Sequence, residues 1–121
     1  MGQEQRSAPR VDVEPDFSVL GTIDGRRFMA VVYDISRVGV LADLSQNDGR
    51  HLSVSVGERV EFQDVPEYLQ SALLGIIGRI VRRDGSCWGI QFLAPLDLAQ
   101  PEIDRLQEHL EIPVGPDWHK Y

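Results

Sequence analysis

Only one cysteine, Cys87, and one lysine, Lys120, occur in the 121 residues. A lone thiol excludes an intrachain disulfide, and His51, His109 and His119 are too scattered to build a metal site around it. No metal or other cofactor is expected. No apolar run approaches the roughly 18 residues that span a bilayer, and the N-terminus lacks the apolar core of a signal peptide. These absences predict a cytoplasmic protein without membrane insertion. The chain also lacks a G-x-S-x-G elbow, a G-x-x-x-x-G-K-[ST] phosphate cradle and a metal-ligand cluster, which argues against an enzyme. A net charge of −7 repels polyanions, so a nucleic-acid polymer is not an expected partner, and any anionic ligand must be held locally.

What is present is a chain of common domain size, 42% hydrophobic, long enough to bury one core unaided. Residues 1–15 and 113–121 are polar and proline-bearing, which predicts an N-terminal arm and a C-terminal tail around one folding unit at 16–112. Trp118, beside His119 and Tyr121, is the one large apolar side chain in that tail, and the sequence assigns it no role. Short apolar and β-branched runs separated by Gly, Asp and Asn predict an antiparallel, mainly β fold. The six strands are Phe17–Gly21, Arg27–Ile35, Gly39–Asp43, Arg59–Gln63, Leu74–Arg83 and Ser86–Ala94. Asp24-Gly25 and Asp84-Gly85 mark tight hairpins. The alternation of Leu52, Val54 and Val56 leaves a further strand open at His51–Val56, and Asp64–Ala72 reads as an exposed excursion. Phe28 to Tyr33 is apolar on both faces, as a barrel strand under a covering helix would be. Pro101 opens such a helix, with Ile103, Leu106 and Leu110 at helical spacing and Pro113 beyond. Trp88, Ile90 and Phe92 alternate as core.

Eleven of the twelve basic residues are arginine, whose planar fork suits phosphate and guanine. Two constellations use them or stand near them: Arg6-Ser7-Ala8-Pro9-Arg10 in the arm, and Asp34-Ile35-Ser36-Arg37-Val38-Gly39 between two strands. An R-x-x-x-R is expected roughly once by chance in so arginine-rich a chain, and Arg79 to Arg83 forms a second. A D-x-S-x-x-G is expected only about 0.06 times. In this order, followed by Gly78-Arg79-Ile80-Val81, a turn, Trp88-Gly89-Ile90-Gln91-Phe92 and a helix, the chain resembles the PilZ family from Arg6 to Ile112.

The resemblance implies a six-stranded antiparallel PilZ-type β-barrel with a C-terminal α-helix, and cyclic di-GMP as ligand. Its site residues would be Arg6, Arg10, Asp34, Ser36 and Gly39, with Gln5, Arg37, Arg79 and Arg82 as secondary candidates. The chemistry suits a guanine dinucleotide: guanidinium forks donate to guanine O6 and N7 or clamp phosphate, and an ionised Asp34 accepts from the N1–H and N2–H₂ edge that adenine lacks. Gly39 lets backbone approach. A turn in which Asp34 and Ser36 hydrogen-bond their own backbone is the competing account. Many family members carry an arginine where this chain has Gln5, whose neutral side chain points to one ligand per protomer. The implied function is a receptor whose arm is ordered by the ligand and which signals to an unidentified protein effector in motility, secretion or exopolysaccharide control. The alternative is a PilZ-fold interaction module that binds no cyclic di-GMP.

Overall fold

The computed structural model describes residues 17–110, so the expected arm and tail, with Gln5, Arg6, Arg10 and Trp118, lie outside the described residues. Six antiparallel strands, β1 (Ser18–Thr22), β2 (Arg27–Ile35), β3 (Gly39–Asp43), β4 (Arg59–Asp64), β5 (Ile77–Asp84) and β6 (Cys87–Phe92), close into a barrel in the order β1-β2-β3-β6-β5-β4. A short helix α1 (Gln70–Leu73) and a longer α2 (Gln100–His109) complete it. The mainly β, six-stranded barrel with a C-terminal helix is therefore what forms. Closure leaves no long open edge, and the period of two sends Leu20, Phe28, Ala30, Val40, Ala42, Val60, Phe62, Trp88, Ile90 and Phe92 into one core. Both expected hairpins are present, with Gly25 at φ 90° and Gly85 at φ 61° supplying the left-handed conformation that the turns require.

Three expectations need correction. Val54 is buried, but Leu52 and Val56 are exposed, and no further strand forms at 51–56. A 3₁₀ turn at Arg50–Ser53 lies there, held because Arg83 Nη1 donates to the carbonyls of Leu52 (3.1 Å) and Val54. Nor is 64–72 an exposed excursion. A 3₁₀ turn at Glu67–Leu69 runs into α1 and buries Val65, Leu69, Ala72 and Leu73 in the core. Third, β5 begins at Ile77 and not at Leu74, because Leu74 ends α1 and Gly75 turns the chain at φ 82°.

The covering helix is present over part of β2 only. Tyr33 is buried and Val31 half-buried, while Met29 is exposed. Ala99 at the N-cap of α2 has no side-chain acceptor, but the Glu102 carboxylate accepts from its N–H at 3.1 Å, half of a capping box. Ile103 and Leu110 bury against the barrel. Gln107 then substitutes for a missing strand: its Nε2 donates to Tyr33 O (3.2 Å) and its Oε1 accepts from Ile35 N (2.9 Å). β1 pairs with β2 only as far as Ala30, so among the described residues these groups have no strand partner on that side.

His51 is buried with Nδ1 unpartnered among the described residues. Burial first, and the nearby Arg83 charge second, hold its pKa below the ordinary 6.5. The unfolded chain thus takes up a proton near pH 6.5 while the folded chain does not, so this contribution to stability is full above that pH and lost as pH falls below it. Two outcomes follow. Gln107→Ala should lower stability by about 1–3 kcal/mol in chemical denaturation by orphaning two backbone groups. The melting temperature should fall between pH 7 and pH 5, and His51→Gln should flatten that fall.

Candidate functional site

A period-two strand that buries Phe28, Ala30 and Val32 would also turn residue 34 inward. It does not, because pairing slips between Val32↔Ala42 and Asp34↔Leu41, leaving Tyr33 as an extra residue on β2. The same happens on β5, where pairing passes from Ile80↔Ile90 to Arg82↔Gly89 with Val81 inserted. Each bulge resets the alternation, so Asp34 and Arg82 both face solvent while Ile35 stays in the core.

The two bulges lie at opposite ends of one register row. Asp34 pairs with Leu41, Leu41 with Gly89, and Gly89 with Arg82. Three interstrand steps make the row about 14 Å long. At its centre Gly89 has no side chain, and the row is the floor of an open depression of 460 Å³ whose lining includes Asp34, Ser36, Gly39, Val81, Arg82 and Gln91. That volume falls within the roughly 300–1,000 Å³ of small-molecule sites. An anionic acceptor thus stands at one end and a cationic fork at the other, across an apolar floor. The Asp34 carboxylate has no hydrogen-bond partner among the described residues, whereas Arg82 Nε lies 3.3 Å from Asp84 Oδ2 in an exposed pair of little energetic weight.

Ser36 follows the turn account. Its Oγ accepts from the N–H groups of Val38 and Gly39, both at 3.2 Å, and its N–H donates to Gly39 O at 2.9 Å. Gly39 answers to packing: a Cβ there would stand 2.3 Å from Ile90 O on β6. The structure therefore brings Asp34, Ser36, Gly39 and Arg82 together. Arg37, on the exposed turn, and Arg79, farther along β5, do not line the depression. Gly89 and Leu41 were missed by sequence reasoning, because only the register shows that a glycine sits between Asp34 and Arg82. Tyr33 crosses β3 to reach Cys87 on β6, its hydroxyl against the thiol. Burial raises the pKa of both groups, leaving an unreactive thiol two residues along β6 from Gly89.

A profile described as PilZ domain matches residues 4–111, most of the chain. No curated protein matches. No helix among the described residues is long and apolar enough to cross a membrane.

The two glycines separate fold from site. Gly39→Ala should cost about 1–3 kcal/mol of stability, because backbone must move. At Gly89 a Cβ meets only ordinary contacts, Arg82 Cβ at 3.5 Å and Leu41 Cδ2 at 3.7 Å. Gly89→Ala should stay within about 0.5 kcal/mol of wild type in denaturant titrations. Gly89→Phe should keep the fold, by circular dichroism, while filling the depression.

Proposed function

Because the chain belongs to the PilZ domain family, we propose that it is a cyclic di-GMP receptor that binds the ligand over the Asp34–Arg82 row and passes the signal to a protein partner. PilZ domains in general are cyclic di-GMP-binding adaptor modules and not enzymes. The observation that carries the reading is the outward-facing Asp34 carboxylate, unpartnered among the described residues, on the rim of a depression with an arginine at its far side.

In this reading Asp34 accepts from the N1–H and N2–H₂ edge of guanine, and adenine, which cannot donate there, is excluded. Leu41 and the bare backbone at Gly89 receive the flat apolar face of the base, and Arg82 exchanges its exposed pairing with Asp84 for a phosphate oxygen. Ser36 acts by holding the turn that aims Asp34. Arg6 and Arg10 close over the open side of the ligand, so that ligand binding draws the arm onto the barrel and changes the surface offered to the partner. Gln5 adds no charge, and one ligand per protomer results. The protein acts in the cytoplasm, in control of motility, secretion or exopolysaccharide. The alternative, an interaction module without ligand, draws support from Ser36 and Gly39, both of which the turn and the β3–β6 contact already explain.

Isothermal titration decides between them. Cyclic di-GMP should bind one per protomer at micromolar affinity or better, about −8 kcal/mol, with cyclic di-AMP silent. Asp34→Ala and Arg10→Ala should each weaken binding by about 1.5–3 kcal/mol, Gly89→Phe should abolish it, and Arg105→Ala on the exposed side of α2 should change little. Amide exchange in residues 1–15 should slow on saturation. No heat at hundreds of micromolar ligand would establish the interaction module.

A further inference from the structure

We infer that the outer face around Ile77 is a docking surface for a protein segment carrying acidic side chains next to a bulky apolar one. Ile77 opens β5 and is 42% exposed, between Ile23 at 84% and Leu93 at 51%. It borders two hollows: one of 490 Å³ bounded by Gly75 and residues 93–98, and one of 190 Å³ shared with Ile23, Arg59 and Glu61. Large apolar side chains grouped around hollows offer a socket for an apolar anchor.

The charge beside the socket selects the occupant. Arg59 on β4 stands directly opposite Arg79 on β5. Like charges so placed destabilise an antiparallel pair. Neither guanidinium has an ion-pair or hydrogen-bond partner among the described residues, although Glu61 lies on the same strand face and the chain has 19 acidic residues from which to supply one. Arg26, by contrast, pairs with Asp24 at 3.0 Å and Glu58 at 2.9 Å. A carboxylate from outside removes the repulsion that the fold leaves in place. Two cations beside three apolar side chains, Glu61 and, in the larger hollow, Asp97 do not suit a phosphate polymer, and the closed barrel offers no strand edge here, so recognition runs through side chains. Arg79 shares a register row with Gln91 and Gly39, which line the depression of the candidate site. The two surfaces share β5, with Ile77 about 16 Å along it from Arg82. The inference stands whether or not cyclic di-GMP binds.

The probe is a capped hexapeptide of alternating glutamate and leucine, with the lysine–leucine peptide as control, titrated to millimolar concentration into the full chain and followed by amide chemical shifts. The glutamate peptide should shift Arg59, Ile77, Arg79 and Leu93, the lysine peptide should not, and Arg59→Ser/Arg79→Ser should weaken binding at least fivefold with its melting temperature kept. Arg79→Glu, which converts the repelling pair into an attracting one, should raise the melting temperature by about 1–4 °C and abolish peptide binding. Equal response to both peptides, shifts elsewhere on the barrel, or a lower melting temperature for Arg79→Glu overturns the inference. A dimer without peptide that the double variant dissociates would assign the face to a second copy and overturn it too. Cyclic di-GMP titration of the double variant separates this outcome from failure of the receptor reading, since that site is untouched.

Discussion

A strand in a closed barrel has one face in the core and one in water, and a period of two fixes which residue goes where. Carried unbroken from Phe28, that period would turn Asp34 into the apolar interior, where an unpaired carboxylate costs several kcal/mol. Carried unbroken from Gly78, it would do the same to Arg82. The extra residues Tyr33 and Val81 resolve both conflicts, each by a slip of one position. A slip on only one strand would leave the row with a single charged end. The core and the outward placement of Asp34 and Arg82 are thus set by the same two bulges.

The arginines divide by what the backbone needs. Arg83 holds the 50–54 turn through two carbonyls, Arg50 stacks over the Phe28 ring at 5.1 Å, and Arg26 joins the first hairpin to Glu58 and to Ser53 Oγ at 3.1 Å. These cations replace regular hydrogen bonding in the long connection between β3 and β4, which has only short 3₁₀ turns of its own. Arg82 and the Arg59–Arg79 pair face outward without such duties.

Much of this was legible in the sequence, for reasons that differ by element. Asp24-Gly25 and Asp84-Gly85 announce turns because the chemistry is local, and β2 and β3 fall at their expected bounds because β-branched runs end at polar turns. The failures share a cause. Leu52, Val54 and Val56 alternate like a strand, but the chain turns in a 3₁₀ conformation there and the Arg83 side chain, not a strand, meets the carbonyls of Leu52 and Val54. Val65 and Leu69 looked like parts of an exposed connection because their burial comes from joining a core whose other members are far away in sequence. In the candidate site, Asp34 and Gly39 stood out by motif, whereas Leu41 and Gly89 gain their place only through the β3–β6 register, which no local pattern encodes.

The Gln107 amide bears on how the protein behaves in company. A barrel has no edges where its strands are paired around the ring, yet among the described residues β2 runs past the end of β1 and has no strand beside Tyr33 O and Ile35 N. A single side chain on α2 keeps that short template for strand addition covered. The helix thus covers backbone groups of β2 as well as part of the core, and the stretch it covers ends one residue before the turn that aims Asp34. Displacing α2 would expose two backbone groups of β2 on either side of Asp34, at the rim of the depression.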